Sequence, residues 1–369
     1  MDQALVEDGL LTLLVAGVAA GGAVAVIVLV VLRKRYHRAI AEREQSITEL
    51  NRLRVDLAQE NHELVAAQES LRLERDQLQT RLENVERSNE VLTAHPNGHF
   101  YSPVVDPAEV SAEADRIWAP KATLPGLTFS EEQHLAVLNQ LFPQFISGFD
   151  YPETLPENAE PWTFFIQNSQ FSWLDCRLLF VLLNAWRPAQ YLEIGSGFSS
   201  LLAADVSRRM LDGAMRVTCV EPYPRPFLTQ PVPGISEVIV KRVQELPLET
   251  FDELQAGDIL FIDSSHVAKT GSDVNYLFFE VLPRLAAGVR IHVHDIFFPL
   301  EYPKTWVLEE NRSWNEQYVL QALLMDSTRY RVFFGSNYAA TIFPAEAAKA
   351  LGREGSPPFG GGSLWLEVC

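Results

Sequence analysis

The pattern of apolar and polar positions divides the chain into three stretches. Residues 10–32 contain no charged side chain, and as a helix rising about 1.5 Å per residue they would be long enough to cross a bilayer. From residue 39 to residue 92 there is neither glycine nor proline, and one heptad position is apolar seven times in succession. From residue 95 onward, short apolar runs of strand length alternate with helical patterns. The chain is therefore predicted to contain regions 1–38, 39–94 and 95–369.

The first region predicts a transmembrane anchor with a basic cytoplasmic flank. The cluster Arg33–Arg38 follows the apolar stretch directly, and no lysine or arginine precedes it. The positive-inside rule then places the N-terminus outside and the rest of the chain in the cytoplasm. A cleaved signal peptide is the alternative, but such peptides begin with a basic segment. The expected localisation is a single-pass membrane protein, held in the membrane by residues 10–32, with a cytoplasmic catalytic domain.

The second region predicts a coiled coil. Its repeated apolar positions are Leu50, Leu57, Leu64, Leu71, Leu78, Val85 and Leu92. The companion heptad position, which includes Arg54, Asn61 and Asn89, is mostly polar, so the coil should be shallow, and asparagine there favours a defined register. We predict a parallel homodimer through this region. A single long solvated helix is the alternative.

The third region predicts an α/β domain. A helical cap over residues 95–170 would precede a core over residues 171–369. Its strand candidates alternate with helical segments, which implies a mostly parallel, Rossmann-like, doubly wound sheet covered by helices on both faces. These strand candidates are QYLEIGSG, MRVTCVEP, SEVIVKRV, GDILFIDSS, VRIHVHDIF, YRVFFGS and SLWLEV.

Charge and cysteine content narrow the choice of partners. The formal net charge is −18, most of it carried beyond residue 94, and such a surface repels phosphate backbones. Nucleic acid is therefore not expected as a partner, and a small-molecule or lipid-linked substrate is. The three cysteines, Cys176, Cys219 and Cys369, lie far apart and form neither a disulfide framework nor a metal-binding pattern, which fits a reducing compartment.

The stretch YLEIGSGFSS predicts a ligand-binding turn between the first strand and the next helix. Gly195 and Gly197 would let the backbone pass close to a ligand, and Ser199 or Ser200 could cap the helix. A dinucleotide fingerprint would require a third glycine where Ser200 stands. An acid followed by Gly-x-Gly instead resembles the first motif of class I S-adenosylmethionine-dependent methyltransferases. The cofactor contacts expected from this turn are Glu193, Gly195, Ser196 and Gly197.

Two later positions extend the expected cofactor site. The resemblance implies an acid at the end of the second strand that accepts hydrogen bonds from the two ribose hydroxyls, and Glu221 stands at that position. Gln244 follows the third strand and is a weaker candidate for contacting the adenine. A solvated surface position remains the alternative for both residues.

The ends of the fourth and fifth strands should bring Asp263 and His266 close to His294 and Asp295, because the carboxyl ends of parallel strands open onto one crevice. Methyl transfer to oxygen requires the acceptor to lose a proton, which histidine can take near neutral pH. His266 and His294 are therefore candidate bases, with Asp295 as a third catalytic candidate. Alternatively, Asp263, His294 and Asp295 could hold a divalent metal such as magnesium.

Four stretches together resemble a bacterial family of class I methyltransferase-domain proteins grouped with cephalosporin hydroxylase-like proteins. The resemblance implies a seven-stranded methyltransferase sheet and S-adenosylmethionine at Gly195, Gly197, Glu221 and Asp263. Some relatives have acidic metal ligands at the ends of the fourth and fifth strands, but here His294 stands before Asp295. The stretches are LEIGSGFSS, GDILFIDSSHVAKTGSDVNYLFFEVLPRL, HVHDIFFPLEYP and WNEQYVLQALL.

The function expected from these observations is O-methylation of a small or lipid-linked acceptor. Members of the resembled family often modify sugars or surface polysaccharides, so a saccharide is the first acceptor to consider. Tyr101, Trp306, Trp314 and Asn315 could wall the acceptor pocket, or their aromatic members could belong to the core. The alternative functions are a membrane-tethered scaffold with a non-catalytic domain and a metal-dependent, hydroxylase-like enzyme.

Overall fold

A computed structural model describes residues 23–92, 95, 97–171, 173–353 and 360–369. The chain separates into two compact units, Met1–Thr93 and Ala94–Cys369. The first is described by one helix, and the second contains the sheet and the candidate site. All seven tryptophans lie in the second unit, so their fluorescence reports on its folding alone.

Helix α1 (Ala23–Leu92) is one uninterrupted element of 70 residues. The absence of glycine and proline explains its continuity, since those are the residues that most often break or kink a helix. Leu50, Leu57, Leu64, Leu71 and Leu78, which share one heptad position, are each between 57% and 66% exposed. The predicted helix is confirmed over these residues. Its pairing with a second copy in a parallel coiled coil stays a prediction.

The prediction of a membrane-spanning helix is wrong. Within the part of the chain that the structure describes, no helix is both long and apolar enough to cross a membrane. Residues 10–22 of the predicted span lie outside the described residues. Residues 23–32 form the start of α1, which becomes charged from Arg33 onward. The expected single-pass localisation is therefore not supported.

The second unit is built on a seven-stranded sheet in the order β3-β2-β1-β4-β5-β7-β6. Strands β1 to β5 pair in parallel, and β7 runs antiparallel to both of its neighbours. This arrangement confirms the predicted mostly parallel, Rossmann-like sheet. The strands are β1 (Gln190–Ile194), β2 (Arg216–Val220), β3 (Glu237–Ile239), β4 (Ile259–Ile262), β5 (Arg290–Val293), β6 (Tyr330–Gly335) and β7 (Leu364–Val368).

The sheet separates two hydrophobic clusters because successive side chains of a strand point to opposite faces. In β4, Phe261 belongs to one cluster, while Leu260 and Ile262 belong to the other. All four residues of β4 are buried. Burial on both faces explains why the central strands are continuous apolar runs instead of alternating apolar and polar positions.

Short helices surround the sheet. The helices are α2 (Pro107–Ala112), α3 (Ala114–Ile117), α4 (Glu131–Ala136), α5 (Phe142–Phe145), α6 (Trp173–Trp186), α7 (Phe198–Met210), α8 (Glu249–Asp252), α9 (Asp273–Tyr276), α10 (Lys304–Leu308), α11 (Glu316–Leu324), α12 (Ser336–Ile342) and α13 (Pro344–Ala350). The segment from Asp273 to Arg284 changes its winding. After α9 it continues as a π-helix over Leu277–Val281 and a 3-10 turn over Leu282–Arg284.

The order of the strands decides where a ligand can bind. The chain runs outward from β1 to β2 and β3, then crosses to the other side of β1 to form β4. The loops after β1 and β4 therefore diverge and leave a crevice at the carboxyl ends of the strands. The long loops that close this crevice come from the segments before α6, before α11 and before β7.

Candidate active site

A cleft of about 1010 Å³ opens at the carboxyl ends of β1, β2, β4 and β5. Its lining includes most of the residues singled out from the sequence. These are Gly195, Ser196, Gly197, Glu221, Asp263, His266, His294, Asp295, Trp306 and Trp314. Four predicted residues, Tyr101, Glu193, Gln244 and Asn315, do not line it.

The two glycines of the turn after β1 have different physical roles. Gly195 has a φ of +81°, and a Cβ built on it would lie 1.8 Å from the carbonyl oxygen of Asp263. At Gly197 a Cβ would have only the side chains of Arg225 and Gln170 nearby, at 3.9 and 4.0 Å. The first glycine is required by the protein's own packing, and the second keeps open space on the cleft side. That open space suits the close approach of a ligand to the backbone.

The turn leads directly into α7. The hydroxyl of Ser200 accepts a hydrogen bond from the backbone N–H of Gly197 at 3.0 Å. This contact holds the turn at the first residues of the helix, where backbone N–H groups favour an anionic group. The predicted capping role therefore falls to Ser200, because Ser199 is engaged elsewhere.

Glu221 joins the end of β2 to the glycine turn. Its Oε2 accepts a hydrogen bond from the backbone N–H of Ser196 at 3.1 Å, and its Oε1 accepts one from that of Tyr223 at 2.8 Å. Both carboxylate oxygens are thereby fixed at the edge of the cleft, and each retains lone pairs for a further donor. This arrangement suits two neighbouring hydroxyl groups of a ribose.

Glu193 supports the turn from below and does not face the cleft. The side chain is fully buried, and its Oε1 accepts a short hydrogen bond from the Ser199 hydroxyl. Burial raises the pKa of Glu193 to about 8, although the Ser199 and Ser200 hydroxyls act against the rise. The expected direct contact between Glu193 and a cofactor is therefore not supported by its position.

The buried Glu193 should make stability depend on pH. In the unfolded chain its carboxyl titrates near 4.5, so between that pH and about 8 the folded protein holds a proton that the unfolded chain has lost. The free energy of unfolding should then fall as pH rises through this window. Glu193→Gln should remove that part of the dependence and gain stability, relative to the wild type, at pH 8. Urea denaturation followed by tryptophan fluorescence at several pH values measures this, with the exposed Glu237→Gln as control. If the free energy of unfolding of Glu193→Gln depends on pH as that of the wild type does, burial of Glu193 is not the cause of the dependence.

Gln244 is also placed away from the cleft. It lies in the 3-10 turn Val243–Glu245, is half-buried, and donates from Nε2 to the carbonyl oxygen of Gly271 at 3.0 Å. The spacing of Gln244 after β3 suggested an adenine contact, but its side chain ties two loops together instead. Asn315 is likewise structural, since its Oδ1 accepts from the Ala268 N–H at 2.6 Å.

His266 lies at the centre of a cluster of carboxylates. Its Nδ1 is 2.8 Å from Glu316 Oε2, and its Nε2 is 3.3 Å from Asp263 Oδ1 and 3.6 Å from Asp295 Oδ2. Burial alone would lower the pKa of His266, but hydrogen bonds to Asp263 and Glu316 outweigh it and hold the pKa well above its usual value. The imidazole is therefore protonated at neutral pH. This charge state does not suit the predicted role of His266 as a base.

Glu316 was not identified from the sequence. It is the first residue of α11, is fully buried, and its Oε1 accepts from the Ser264 hydroxyl at 2.8 Å. An acidic residue in the first turn of a helix ordinarily signals a favourable interaction with the helix dipole at a solvated position. Only the tertiary structure shows that this carboxylate faces His266.

His294 and Asp295 form the floor of the cleft at the end of β5. His294 Nε2 lies 3.7 Å from Asp295 Oδ1, and no described residue offers a hydrogen-bond partner to its buried Nδ1. Burial raises the pKa of Asp295, with the nearby histidines acting against the rise. The pKa of His294 is also raised, because the charges of Asp295 and Asp263 outweigh the effect of its burial. Asp295 is thus a more basic carboxylate than usual, with a φ of +57°.

Asp175 is another residue of the site that sequence reasoning missed, and it lines the cleft. It comes from α6, and its two oxygens accept from the backbone N–H groups of Gly362 at 2.9 Å and Ser363 at 3.2 Å. A Cβ on Gly361 would lie 2.2 Å from an oxygen of Asp175. The glycine segment before β7 is therefore fitted closely against Asp175 and forms one wall of the cleft.

The metal prediction is not supported. Among the described residues, no group of three or more His, Cys, Asp or Glu side chains is arranged to hold a metal ion. Of the suggested ligands, Asp263 and Asp295 both face the Nε2 of His266. The ring nitrogen lies where the two carboxylates would have to approach a shared cation.

Comparison with known proteins places this site in a recognised type of domain. A family model described as a methyltransferase domain matches residues 192–296, from β1 to just beyond β5. An uncharacterized protein of Archaeoglobus fulgidus is 33% identical over 180 residues, which cover 47% of this chain and 78% of that protein.

Similar solved structures include the O-methyltransferase TomG from Streptomyces achromogenes, involved in Tomaymycin synthesis, in complex with SAM. It is 15% identical over 70% of this chain and 95% of that one, with a TM-score of 0.33. A mutant of MtNAS is 16% identical over 51% of this chain and 57% of that one, with a TM-score of 0.27. Likeness at these TM-scores supports no assignment. On the sequence matches, this chain belongs to the same family as the Archaeoglobus fulgidus protein and carries a methyltransferase domain.

Proposed function

We propose that this protein transfers a methyl group from S-adenosylmethionine to a hydroxyl oxygen of a small or lipid-linked acceptor, with a saccharide as the first candidate. The observation that carries the proposal is the convergence of Glu221, the open Gly197 backbone and the Asp295 carboxylate in one cleft. The matched methyltransferase domain contains all three positions.

The cofactor end of the cleft would be formed by the glycine turn and Glu221. Glu221 would accept hydrogen bonds from the ribose hydroxyls, since its oxygens are already held by the backbone N–H groups of Ser196 and Tyr223. The backbone at Gly197 would lie against the amino-acid part of S-adenosylmethionine, where a side chain on residue 197 would intrude. When bound, S-adenosylmethionine supplies an electrophilic methyl group on a sulfonium centre.

The acceptor end would be the floor formed by His294 and Asp295. Asp295 is the base we propose, because its raised pKa favours uptake of the proton that the acceptor hydroxyl loses. His266 would remain protonated and hold Asp263 and Asp295 in place through its Nε2. This assignment replaces the histidine bases expected from the sequence.

The experiment uses the full-length chain and S-adenosylmethionine labelled with tritium in its methyl group. Wild type is offered a panel of saccharides, and transfer is counted in the separated acceptor. Asp295→Asn should bind the cofactor normally but transfer the methyl group about 100-fold more slowly, because the proton acceptor is lost.

Asp326→Asn is a matched control, since Asp326 also has a positive φ, +52°, but is exposed and does not line the cleft. Failure of the wild type to bind S-adenosylmethionine would overturn the proposal. Full activity of Asp295→Asn would overturn the assignment of the base. Iron-dependent turnover without S-adenosylmethionine would instead favour the alternative of a metal-dependent, hydroxylase-like enzyme.

A further inference from the structure

One wall of the cleft is a stack of aromatic and cationic side chains. The guanidinium carbon of Arg312 lies 4.1 Å from the ring centre of Trp306 and 4.7 Å from that of Trp314. The opposite end of the stack is the His266 ring, whose centre is 4.2 Å from that of Trp314. All four side chains line the cleft. Two indoles therefore hold the planar cation of Arg312 in a fixed orientation.

Arg312 retains hydrogen-bonding capacity in this position. Its Nε and Nη2 both contact Glu310 Oε2, at 2.8 and 2.5 Å. A guanidinium has five N–H donors, so the Nη1 donors remain for a ligand as far as the described residues show. The Glu310 side chain is 46% exposed, so solvent screens its charge and the ion pair only partly offsets that of Arg312.

Among the described residues, Glu310 is the one carboxylate found in contact with Arg312, and the carboxylates on the cleft floor contact other donors. Asp175 and Glu221 accept backbone N–H groups, while Asp263 and Asp295 face His266. Arg312 is thus a cationic group oriented toward the cleft in a chain whose net charge is −18. Guanidinium groups recognise carboxylates and phosphates through paired hydrogen bonds.

From this geometry we infer that the acceptor carries an anionic group, a carboxylate or a phosphate, which binds Arg312 while the acceptor hydroxyl faces Asp295. The inference rests on the proposed function, because it specifies the acceptor of the same cleft. Trp306 and Trp314 act as positioning residues that hold the planar guanidinium in one orientation and partly shield it from water.

The test compares matched ligands on the full-length chain saturated with S-adenosylhomocysteine. Calorimetry measures the binding of glucose, glucuronate and glucose 6-phosphate, which differ in the anionic group alone or nearly so. Wild type should bind at least one of the two anions about 10-fold more tightly than glucose. Arg312→Gln should lose that preference. Arg312→Lys, which keeps the charge but not the planar donors, should retain only part of it.

Arg242→Gln is the matched control. Arg242 contacts Glu245 through the same two nitrogen atoms, Nε and Nη2, but does not line the cleft. It should leave every affinity unchanged. The preferred anion distinguishes a carboxylate acceptor from a phosphorylated one.

Two outcomes separate this inference from the proposed function. If neither anion binds wild type more tightly than glucose, or if Arg312→Gln keeps the preference, the inference is wrong and the proposed function stands. If S-adenosylhomocysteine does not bind the wild type, the proposed function is wrong, and the inference, which rests on it, is wrong with it. Unchanged binding of S-adenosylhomocysteine by Arg312→Gln shows that the variant is folded.

Discussion

Glu221→Ala is expected to weaken S-adenosylmethionine binding by about 100-fold. The substitution removes two charge-assisted hydrogen bonds to the ribose, each worth roughly 1.5 kcal/mol or more. It also removes the acceptor of the Ser196 N–H, so the glycine turn loses a contact that fixes its position. Calorimetric titration of the full-length protein measures the change directly.

Glu237→Ala is the control for this experiment. Glu237 lies on the neighbouring strand β3, pairs with Arg216 at 3.1 Å and does not line the cleft. Its removal should leave cofactor affinity unchanged. Equal affinities for wild type and Glu221→Ala would show that the ribose is not bound at the end of β2.

Alanine substitutions at the two glycines of the turn should affect different properties. Gly195→Ala should mainly lower stability, whereas Gly197→Ala should mainly weaken cofactor binding. Gly195→Ala should lower the free energy of unfolding by roughly 3 kcal/mol or more, because the new Cβ meets the Asp263 carbonyl and the φ is positive. Gly197→Ala should change stability by less than about 1 kcal/mol, since its Cβ enters open space. It should nevertheless weaken S-adenosylmethionine binding by about 10-fold, because that space would be occupied by ligand.

Denaturation followed by tryptophan fluorescence and calorimetric titration together test this pair. Each variant controls for the other, since the two positions are two residues apart in one turn. Normal stability of Gly195→Ala would mean that the turn relaxes away from β4. Normal cofactor binding by Gly197→Ala would place the ligand elsewhere in the cleft.

The sheet could be predicted from the sequence because its physical signal is local. Strands such as Ile259–Ile262 are buried on both faces, so in the sequence they are continuous apolar runs, bounded by glycine or proline residues or by helical patterns. The glycine turn and Glu221 could be located for the same reason, since they directly follow such runs. The position of β7 between β5 and β6 has no local signal, and only the family resemblance implied this type of sheet.

The rest of the candidate site depends on contacts between distant parts of the chain. Asp175 and Glu316 are acidic residues in the first turns of helices, a position that is usually solvated. Nothing near them in sequence shows that one meets the segment before β7 and the other meets His266. The surroundings of His266 could not be predicted for the same reason, because its carboxylate neighbours come from three separate segments.

The placement of β7 also constrains how the protein is made. Strand β6 precedes β7 in the chain but, among the described strands, pairs with β7 alone, and β7 separates it from β5. During synthesis, β6 therefore leaves the ribosome with no strand to pair with until residues 364–368 have followed it. Gly362 and Ser363, which come just before β7, supply the N–H groups that hold Asp175. The cleft is thus completed only after nearly the whole domain has been translated, so a nascent chain that stops before β7 has an unfinished sheet and no closed site.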